Sequence, residues 1–357
     1  MRYILFLIIQ FFLVTSNIAA VKDSMILYKP NNLNIQYTGR IDFTNPLLPK
    51  FWQPGVQIAF NFSGDSCGIV LQDEILWGKN HNYIEVVLDD VAARIKLKSS
   101  RDTLWFTNSN KFDTHTLVVY KNTEANIGYL EFAGLLTKKL VAPTPKPNRK
   151  IEFIGNSITC GTGSDESVFP CGKGEWYDQH NAYLSYGPIV AKKLNAQFHL
   201  SSVSGIGLMH SCCGMKIIMP EMFDKINMYN GKENWDFNLY QPDIVSICIG
   251  QNDGIQDSSI FINNYLSFLK KLRTVYPDSY FILITSPMAD YDLGKNMSNN
   301  NNAIVSILNN LGEQKIASYA FSKQYNAGCD GHPSLAQHAL IADELTNFIN
   351  KQFNWLN

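Results

Sequence analysis

The chain has 357 residues, of which 45% are hydrophobic, and its 30 Lys and Arg residues nearly balance its 31 Asp and Glu residues. This length exceeds that of one ordinary hydrophobic core, so we expect two domains. The formal net charge of -1 provides no basic field for nucleic acid, which we exclude as a partner class. We expect a monomer that acts on a neutral substrate.

The first 20 residues have the pattern of a secretory signal peptide. A positively charged residue precedes an apolar run at residues 4–14, and the small residues Ala19 and Ala20 suit cleavage just after them. The run is too short to span a bilayer, and no later segment is apolar over enough residues to form a membrane helix. We therefore expect a secreted protein, extracellular or periplasmic, with no membrane partner.

From residue 21 to about residue 140, apolar residues alternate with polar ones, as in half-buried strands. Val56, Ile58, Phe60 and Phe62 share one face of such a strand. Similar runs follow at residues 68–72, 83–88, 93–98, 103–107, 116–121 and 128–133. Closely spaced strands without helices predict a β-sandwich with a jelly-roll-like arrangement.

Residues 141–149 contain three alternating prolines and form a predicted stiff linker between the domains. Strands and helices alternate over residues 150–357, which predicts a parallel sheet with helices on both faces. The predicted strands are 151–155, 197–204, 243–250, 280–286 and 316–321, and the predicted helices are 182–194, 260–275, 302–311 and 335–353. The fold class is therefore α/β, with a flavodoxin-like three-layer α/β/α second domain. The polar run 298–302 is predicted to be an exposed loop.

A candidate nucleophile follows the first strand of this second domain. The apolar run 151–154 ends at Gly155, which permits a sharp turn, and Ser157 comes two residues later. This is the carboxyl end of a strand, where open α/β sheets bind ligands. Taken alone, a serine after a glycine is usually only a turn residue.

Three later loops supply the other groups that acyl transfer needs. Gly205, Asn252 and His332 each lie at or after the end of a predicted strand. Ser157 would attack a carbonyl, and His332 would accept its proton. The N–H groups of Ser157 and Gly205 and the side-chain amide of Asn252 would form an oxyanion hole. Each residue alone could be an ordinary turn or capping residue, but the set is chemically complete.

This ordered set resembles the SGNH, or GDSL-like, hydrolase superfamily over the region from Lys150 to the C-terminus. The N-terminal β-domain, together with the segments Phe153–Gly161 and Cys329–Ser334, resembles carbohydrate esterase family 2 more closely. That resemblance implies a serine esterase that removes O-acetyl groups from plant cell-wall polysaccharides such as xylan and glucomannan. It also implies a jelly-roll domain packed against the SGNH domain, with a substrate cleft beside the serine.

The sequence departs from the family pattern at three positions. Asn156 replaces the usual aspartate before the serine, and Gly331 stands where related esterases often carry a tryptophan. Cys329 occupies the usual place of the triad aspartate, while Asp330 lies only two residues before His332. Either Asp330 orients the imidazole as a triad member, or a backbone carbonyl does so in a Ser-His dyad.

Several assignments stay open from the sequence. Trp176 and Tyr177 are candidate substrate contacts, although core packing is the commoner role for any one aromatic residue. Seven cysteines permit disulfides, for example between Cys160 and Cys171, but fix no pairing. A metal at His210, Cys212 and Cys213 is disfavoured because a second ligand pair at zinc spacing is lacking, so we expect no metal or organic cofactor.

Two other functions remain as alternatives to the polysaccharide esterase. One is an SGNH lipase or lysophospholipase, which the lack of an amphipathic lid sequence near the loops disfavours. The other is a carbohydrate-binding protein with a decayed esterase site, which the complete set of Ser157, Gly205, Asn252 and His332 disfavours.

Overall fold

The computed structural model describes residues 25–107 and 112–356. The predicted signal peptide, residues 1–20, lies outside the described residues. Among the helices that are described, none is both long and apolar enough to cross a membrane.

The first domain is an antiparallel β-domain. Its strands are β1 (Ile26–Tyr28), β2 (Ile35–Thr38), β3 (Lys50–Phe51), β4 (Gln57–Asp73), β5 (Tyr83–Leu88), β6 (Val91–Lys96), β7 (Arg101–Thr107), β8 (His115–Lys121) and β9 (Leu130–Val141). The 17-residue strand β4 pairs with β2, β7, β8 and β9, with a register shift against β9 between Ser63 and Cys67. The predicted strands at 56–62 and 68–72 are therefore one long strand. The jelly-roll arrangement stays a prediction.

The second domain contains a five-stranded parallel sheet with helices around it. Its strands are β10 (Arg149–Gly155), β11 (Ala196–Ser202), β12 (Ile244–Ile247), β13 (Tyr280–Ile284) and β14 (Ile316–Tyr319). Its helices are α1 (Ser157–Cys160), α2 (Tyr186–Lys193), α3 (Met219–Met222), α4 (Ser258–Val275), α5 (Tyr291–Asn310) and α6 (Leu335–Phe353). The strand order β11-β10-β12-β13-β14 is that of a flavodoxin-like sheet, as predicted.

The central strand β10 is buried on both faces, which is why its sequence is almost continuously apolar. Phe153 packs in one core cluster with residues of α2 and α6, and the next residue, Ile154, packs in another with residues of α4 and α5. Because successive side chains of a strand point to opposite faces, the two clusters lie on the two sides of the sheet. These are the three layers predicted from the sequence.

The asparagine-rich run 298–302 is helical, so its prediction as an exposed loop was wrong. It lies within α5, whose first turn is capped by the Asp290 carboxylate. Met297 and Ile304 are buried and seven residues apart, which places them on the same face two turns apart. The apolar face of α5 therefore determines the conformation of the polar residues between them.

A buried ion pair joins the two domains. Arg40 Nη2 of the β-domain lies 3.1 Å from Glu152 Oε1 on β10, and the two side chains are 1% and 0% exposed. The Glu152 carboxylate also accepts hydrogen bonds from Ser201 and Tyr276. A buried charge is strongly destabilising when it loses its partner, so this pair fixes the β-domain against the strand that leads to Ser157.

Candidate active site

Ser157 begins α1, two residues after β10 ends. The turn requires glycine at position 155 because a Cβ there would lie 2.1 Å from Thr159 Oγ1. Asn156 caps α1 by accepting a hydrogen bond from the Ile158 N–H, so the residue that replaces the usual aspartate still stabilises the turn. Ser157 itself is 8% exposed, and its hydroxyl lies at the carboxyl edge of the sheet.

The Ser157 hydroxyl contacts the imidazole of His332. Ser157 Oγ lies 2.9 Å from His332 Nε2, and His332 Nδ1 lies 3.1 Å from the backbone oxygen of Cys329. A carbonyl oxygen can only accept, so the proton of the neutral ring is on Nδ1. Nε2 is then free to accept the Ser157 proton, as a general base must.

The side chain of Asp330 is not the group that orients His332. Asp330 is exposed and has a left-handed backbone with φ of 52°. Over residues 25–107 and 112–356, the only hydrogen bond of His332 Nδ1 is the one that it donates to the Cys329 carbonyl oxygen. The geometry therefore favours the Ser-His dyad, and the alternative prediction of Asp330 as a catalytic triad member is wrong.

The environment of His332 keeps its imidazole neutral. Burial lowers the pKa of His332 below its ordinary value of 6.5, against the opposing effects of the Cys329 hydrogen bond and the charges of Asp330 and Glu124. A base with a lowered pKa is unprotonated at neutral pH. His332 can therefore take a proton from Ser157 without first losing one.

Three potential oxyanion donors follow three adjacent strands. Ser157 follows β10, Gly205 follows β11 and Asn252 follows β12, and these strands meet where the strand order reverses. Within the described part of the chain, the N–H groups of Ser157 and Gly205 donate no hydrogen bond. Asn252 Nδ2 donates one hydrogen to Ile206 O at 2.8 Å, which leaves its second hydrogen available.

Gly205 adopts a conformation that other residues disfavour. Its φ is 81°, and a Cβ there would lie 2.8 Å from Cys212 Sγ and 2.9 Å from Met215 Sδ. Both the backbone conformation and the close sulfur atoms therefore require glycine.

Asp253 holds the loop that follows Gly205, a role with no signal in the sequence beyond its place next to Asn252. Its carboxylate is 5% exposed and accepts three backbone N–H groups at 2.8, 2.6 and 2.9 Å, from Leu208, Met209 and His210. Three such bonds fix the loop from β11 against the loop from β12. The position of Gly205 relative to Asn252 depends on this carboxylate.

Glu124 of the β-domain also reaches the site, which the sequence did not indicate. It is 1% exposed and accepts hydrogen bonds from Ser204 N at 2.8 Å and from Thr162 Oγ1 at 3.1 Å. The Ser204 hydroxyl binds the same carboxylate. Ser204 precedes Gly205, and Thr162 follows the helix of Ser157. A single carboxylate of the first domain thus connects two loops of the second.

The two aromatic residues selected as substrate contacts differ in exposure. Trp176 is 47% exposed and packs edge-on against His180, with ring centroids 4.4 Å apart. Tyr177 is 1% exposed and packs with Tyr83 and Ile127. The prediction that Tyr177 contacts substrate is therefore wrong, because its ring has no accessible face. Trp176 keeps its candidate role.

The cysteines form one disulfide among the described residues, between Cys171 and Cys329. Cys160 is buried with a free thiol, so the loop considered between Cys160 and Cys171 is not formed. The one grouping of three potential metal ligands in the described ranges is Glu166 with Cys171 and Cys329. Their disulfide removes both thiolates, so these residues do not fit a metal ion.

Both domains have counterparts among known proteins. The carbohydrate esterase 2 N-terminal domain matches residues 37–147, and the GDSL-like lipase/acylhydrolase family matches residues 153–340, which is more than half of the chain. The chain belongs to the GDSL-like lipase/acylhydrolase family. This GDSL-like hydrolase has the two domains of a carboxylic ester hydrolase of the carbohydrate esterase 2 type.

Curated relatives and solved structures agree with this membership. Cellulase/esterase CelE of Acetivibrio thermocellus is 31% identical over an alignment of 344 positions that covers 91% of this chain. The GDSL-like hydrolase spans about 40% of CelE. An acetylxylan esterase / glucomannan deacetylase of Cellvibrio japonicus is 28% identical, covering 95% of each protein.

The fold is similar to that of a family two carbohydrate esterase from Clostridium thermocellum in complex with cellohexaose. The TM-score is 0.82 at 29% identity, covering 90% of this chain and 100% of that one.

Proposed function

We propose that this GDSL-like hydrolase removes O-acetyl groups from plant cell-wall polysaccharides such as xylan and glucomannan. The proposal is carried by the 2.9 Å contact between Ser157 Oγ and His332 Nε2, beside three available oxyanion donors. The substrate class is supported by the relative described as an acetylxylan esterase / glucomannan deacetylase and by the similar esterase in complex with cellohexaose.

Acylation would begin with attack of Ser157 Oγ on the acetyl carbonyl carbon while His332 Nε2 takes the hydroxyl proton. The imidazolium that forms would keep its Nδ1–H on the Cys329 carbonyl. The new oxyanion would accept hydrogen bonds from the N–H groups of Ser157 and Gly205 and from Asn252 Nδ2. The tetrahedral intermediate would then collapse: the bond to the sugar oxygen breaks, and His332 returns the proton to that oxygen.

Deacylation would repeat these steps with water as the nucleophile. His332 Nε2 takes a proton from water, the hydroxide attacks the acetyl-Ser157 carbonyl, and the same donors stabilise the oxyanion. The bond to Ser157 Oγ then breaks and Oγ recovers its proton from His332. Acetate and free enzyme are the products, and each proton taken has been returned or released with acetate.

Three further features belong to the proposal. Secretion is supported by the signal-peptide pattern of residues 1–20. A jelly-roll arrangement of the first domain is supported by the antiparallel pairing around β4. Trp176, with 47% of its surface exposed, would offer an aromatic face to a sugar ring.

The test of the nucleophile is covalent labelling of the mature protein with a 4-nitrophenyl phosphonate, followed by peptide mass spectrometry. We expect a single adduct on Ser157 and no adduct in Ser157→Ala. His332→Gln should label far more slowly, because the base is lost while the hydroxyl remains. An adduct elsewhere, or equal labelling of the Ser157→Ala variant, would contradict the assignment.

A further inference from the structure

Cys329 has two roles in the structure at once. Its backbone oxygen accepts the Nδ1–H of His332 at 3.1 Å, and its sulfur is bonded to Cys171, 158 residues away in sequence. The group that orients the imidazole is thus linked covalently to a distant segment of the chain.

The turn that carries this carbonyl is closed by its own backbone hydrogen bond, from the His332 N–H to Cys329 O at 3.0 Å, and this bond moves with the turn. The Cys329 N–H donates to Gly163 O at 2.8 Å, and Cys329 is buried. The two residues that follow, Asp330 and Gly331, are exposed and left-handed, with φ of 52° and 71°. A left-handed residue other than glycine persists only where its surroundings hold it. The placement of the turn, and of the Cys329 carbonyl with it, therefore depends on what fixes Cys329.

The other end of the disulfide lies in a loop that is held from within. The loop is closed where Asp165 N–H donates to Gln179 O at 2.9 Å. Gln179 is 3% exposed, and its side-chain amide donates to three carbonyls of the loop at 3.4, 3.3 and 2.7 Å, those of Phe169, Pro170 and Lys173. Cys171 lies among these residues. The disulfide therefore joins a surface turn to a loop with a buried anchor.

A neutral carbonyl can replace a carboxylate at His332 only if it is held in place. A carboxylate attracts the imidazolium by charge even when the geometry is loose, whereas a carbonyl acts through one directional hydrogen bond. If that bond is lost, the imidazole can carry its proton on Nε2, and it then cannot accept the proton of Ser157. In serine hydrolases a wrong tautomer lowers turnover by about ten-thousandfold.

We propose that the Cys171–Cys329 disulfide is a positioning element for His332, because it fixes the carbonyl that keeps the imidazole in its base form. This inference rests on the proposed Ser157–His332 mechanism. Cys171 contacts neither substrate nor the reacting atoms, and it acts on the reaction through Cys329. The disulfide and the carbonyl together perform the orienting function that a side-chain acid performs in a triad.

The test is Cys171→Ser, which breaks the bond and leaves Cys329 and His332 unchanged. With 4-nitrophenyl acetate we expect kcat to fall by about tenfold to a thousandfold, within the limit set by a wrong tautomer. KM should change little, since no substrate contact is removed. The downfield proton resonance of His332 Nδ1–H, identified by its loss in His332→Gln, should weaken or disappear. Cys67→Ala, which removes a free cysteine of the β-domain, should show neither effect.

Reduction gives a second measurement on the wild-type chain, should the variant fold poorly. A phosphine reductant applied to the folded enzyme should reproduce the loss of kcat, reoxidation should restore it, and Cys171→Ser should not respond. A kcat within twofold of the wild type, with the Nδ1–H resonance intact in the reduced enzyme or the variant, would overturn the proposal. Failure of the mechanism itself would look different, because the wild type would then show no turnover that depends on Ser157.

Discussion

The dyad geometry makes a quantitative prediction for Asp330→Asn. Asparagine keeps the size of the side chain and tolerates the left-handed backbone of this position, where φ is 52°, so only the charge is removed. The carboxylate is exposed and acts on His332 through its charge. The substitution leaves the hydrogen bond between His332 Nδ1 and Cys329 O, at 3.1 Å, unchanged. Exposed charge interactions contribute about 1 kcal/mol or less.

An effect of this size corresponds to a loss of about fivefold in kcat/KM. A triad aspartate, in contrast, contributes about ten-thousandfold. The assay is hydrolysis of 4-nitrophenyl acetate at low ionic strength and at about 1 M salt, where screening should remove most of the difference between the wild type and Asp330→Asn. A loss of three or more orders of magnitude that persists in salt would refute the dyad.

Gly163→Ala is the matched variant that perturbs the Cys329 carbonyl instead of the Asp330 carboxylate. A Cβ at Gly163 would lie 2.7 Å from the Cys329 oxygen, so the carbonyl must move. We expect this variant, assayed as folded protein, to lose more activity than Asp330→Asn does. The reverse order would indicate that the carboxylate, and not the carbonyl, orients His332.

Three other predictions concern the rest of the site. Asn252→Ala should lower kcat by about a hundredfold to a thousandfold because an oxyanion donor is lost, and a change confined to KM would contradict that role. Glu124→Gln should lower kcat at least about tenfold, because an amide cannot accept hydrogen bonds from Ser204 and Thr162 as the carboxylate does. Circular dichroism of the variant distinguishes this effect from a loss of activity through unfolding. Because burial lowers the pKa of His332, the neutral base persists below pH 6.5, so kcat/KM should fall only at more acidic pH; an acid limb above pH 7 would contradict this.

Much of the second domain could be predicted because its signals are local. The alternation of apolar strands and amphipathic helices predicted the parallel sheet. The order of the strands in that sheet places Ser157, Gly205 and Asn252 after three adjacent strands. The helical run 298–302 was missed because its polar residues conceal the apolar spacing of Met297 and Ile304.

Other parts of the site could not be predicted because they depend on contacts between distant residues. Glu124 lies 80 residues from Ser204 in sequence, and nothing in its local pattern distinguishes it from a surface glutamate. The pairing of Cys171 with Cys329 spans 158 residues and could not be chosen among seven cysteines. The choice between Asp330 and a carbonyl likewise depends on the backbone direction of one turn.

The most direct test of the proposed function is acetate release by the mature protein from acetylated xylan and acetylated glucomannan. A phospholipid and 4-nitrophenyl acetate serve as comparison substrates, and Ser157→Ala serves as the inactive control. We predict acetate from the polysaccharides, none from the Ser157→Ala variant, and no fatty acid from the phospholipid. Hydrolysis of the phospholipid with no acetate from either polysaccharide would contradict the proposal and favour a lipase.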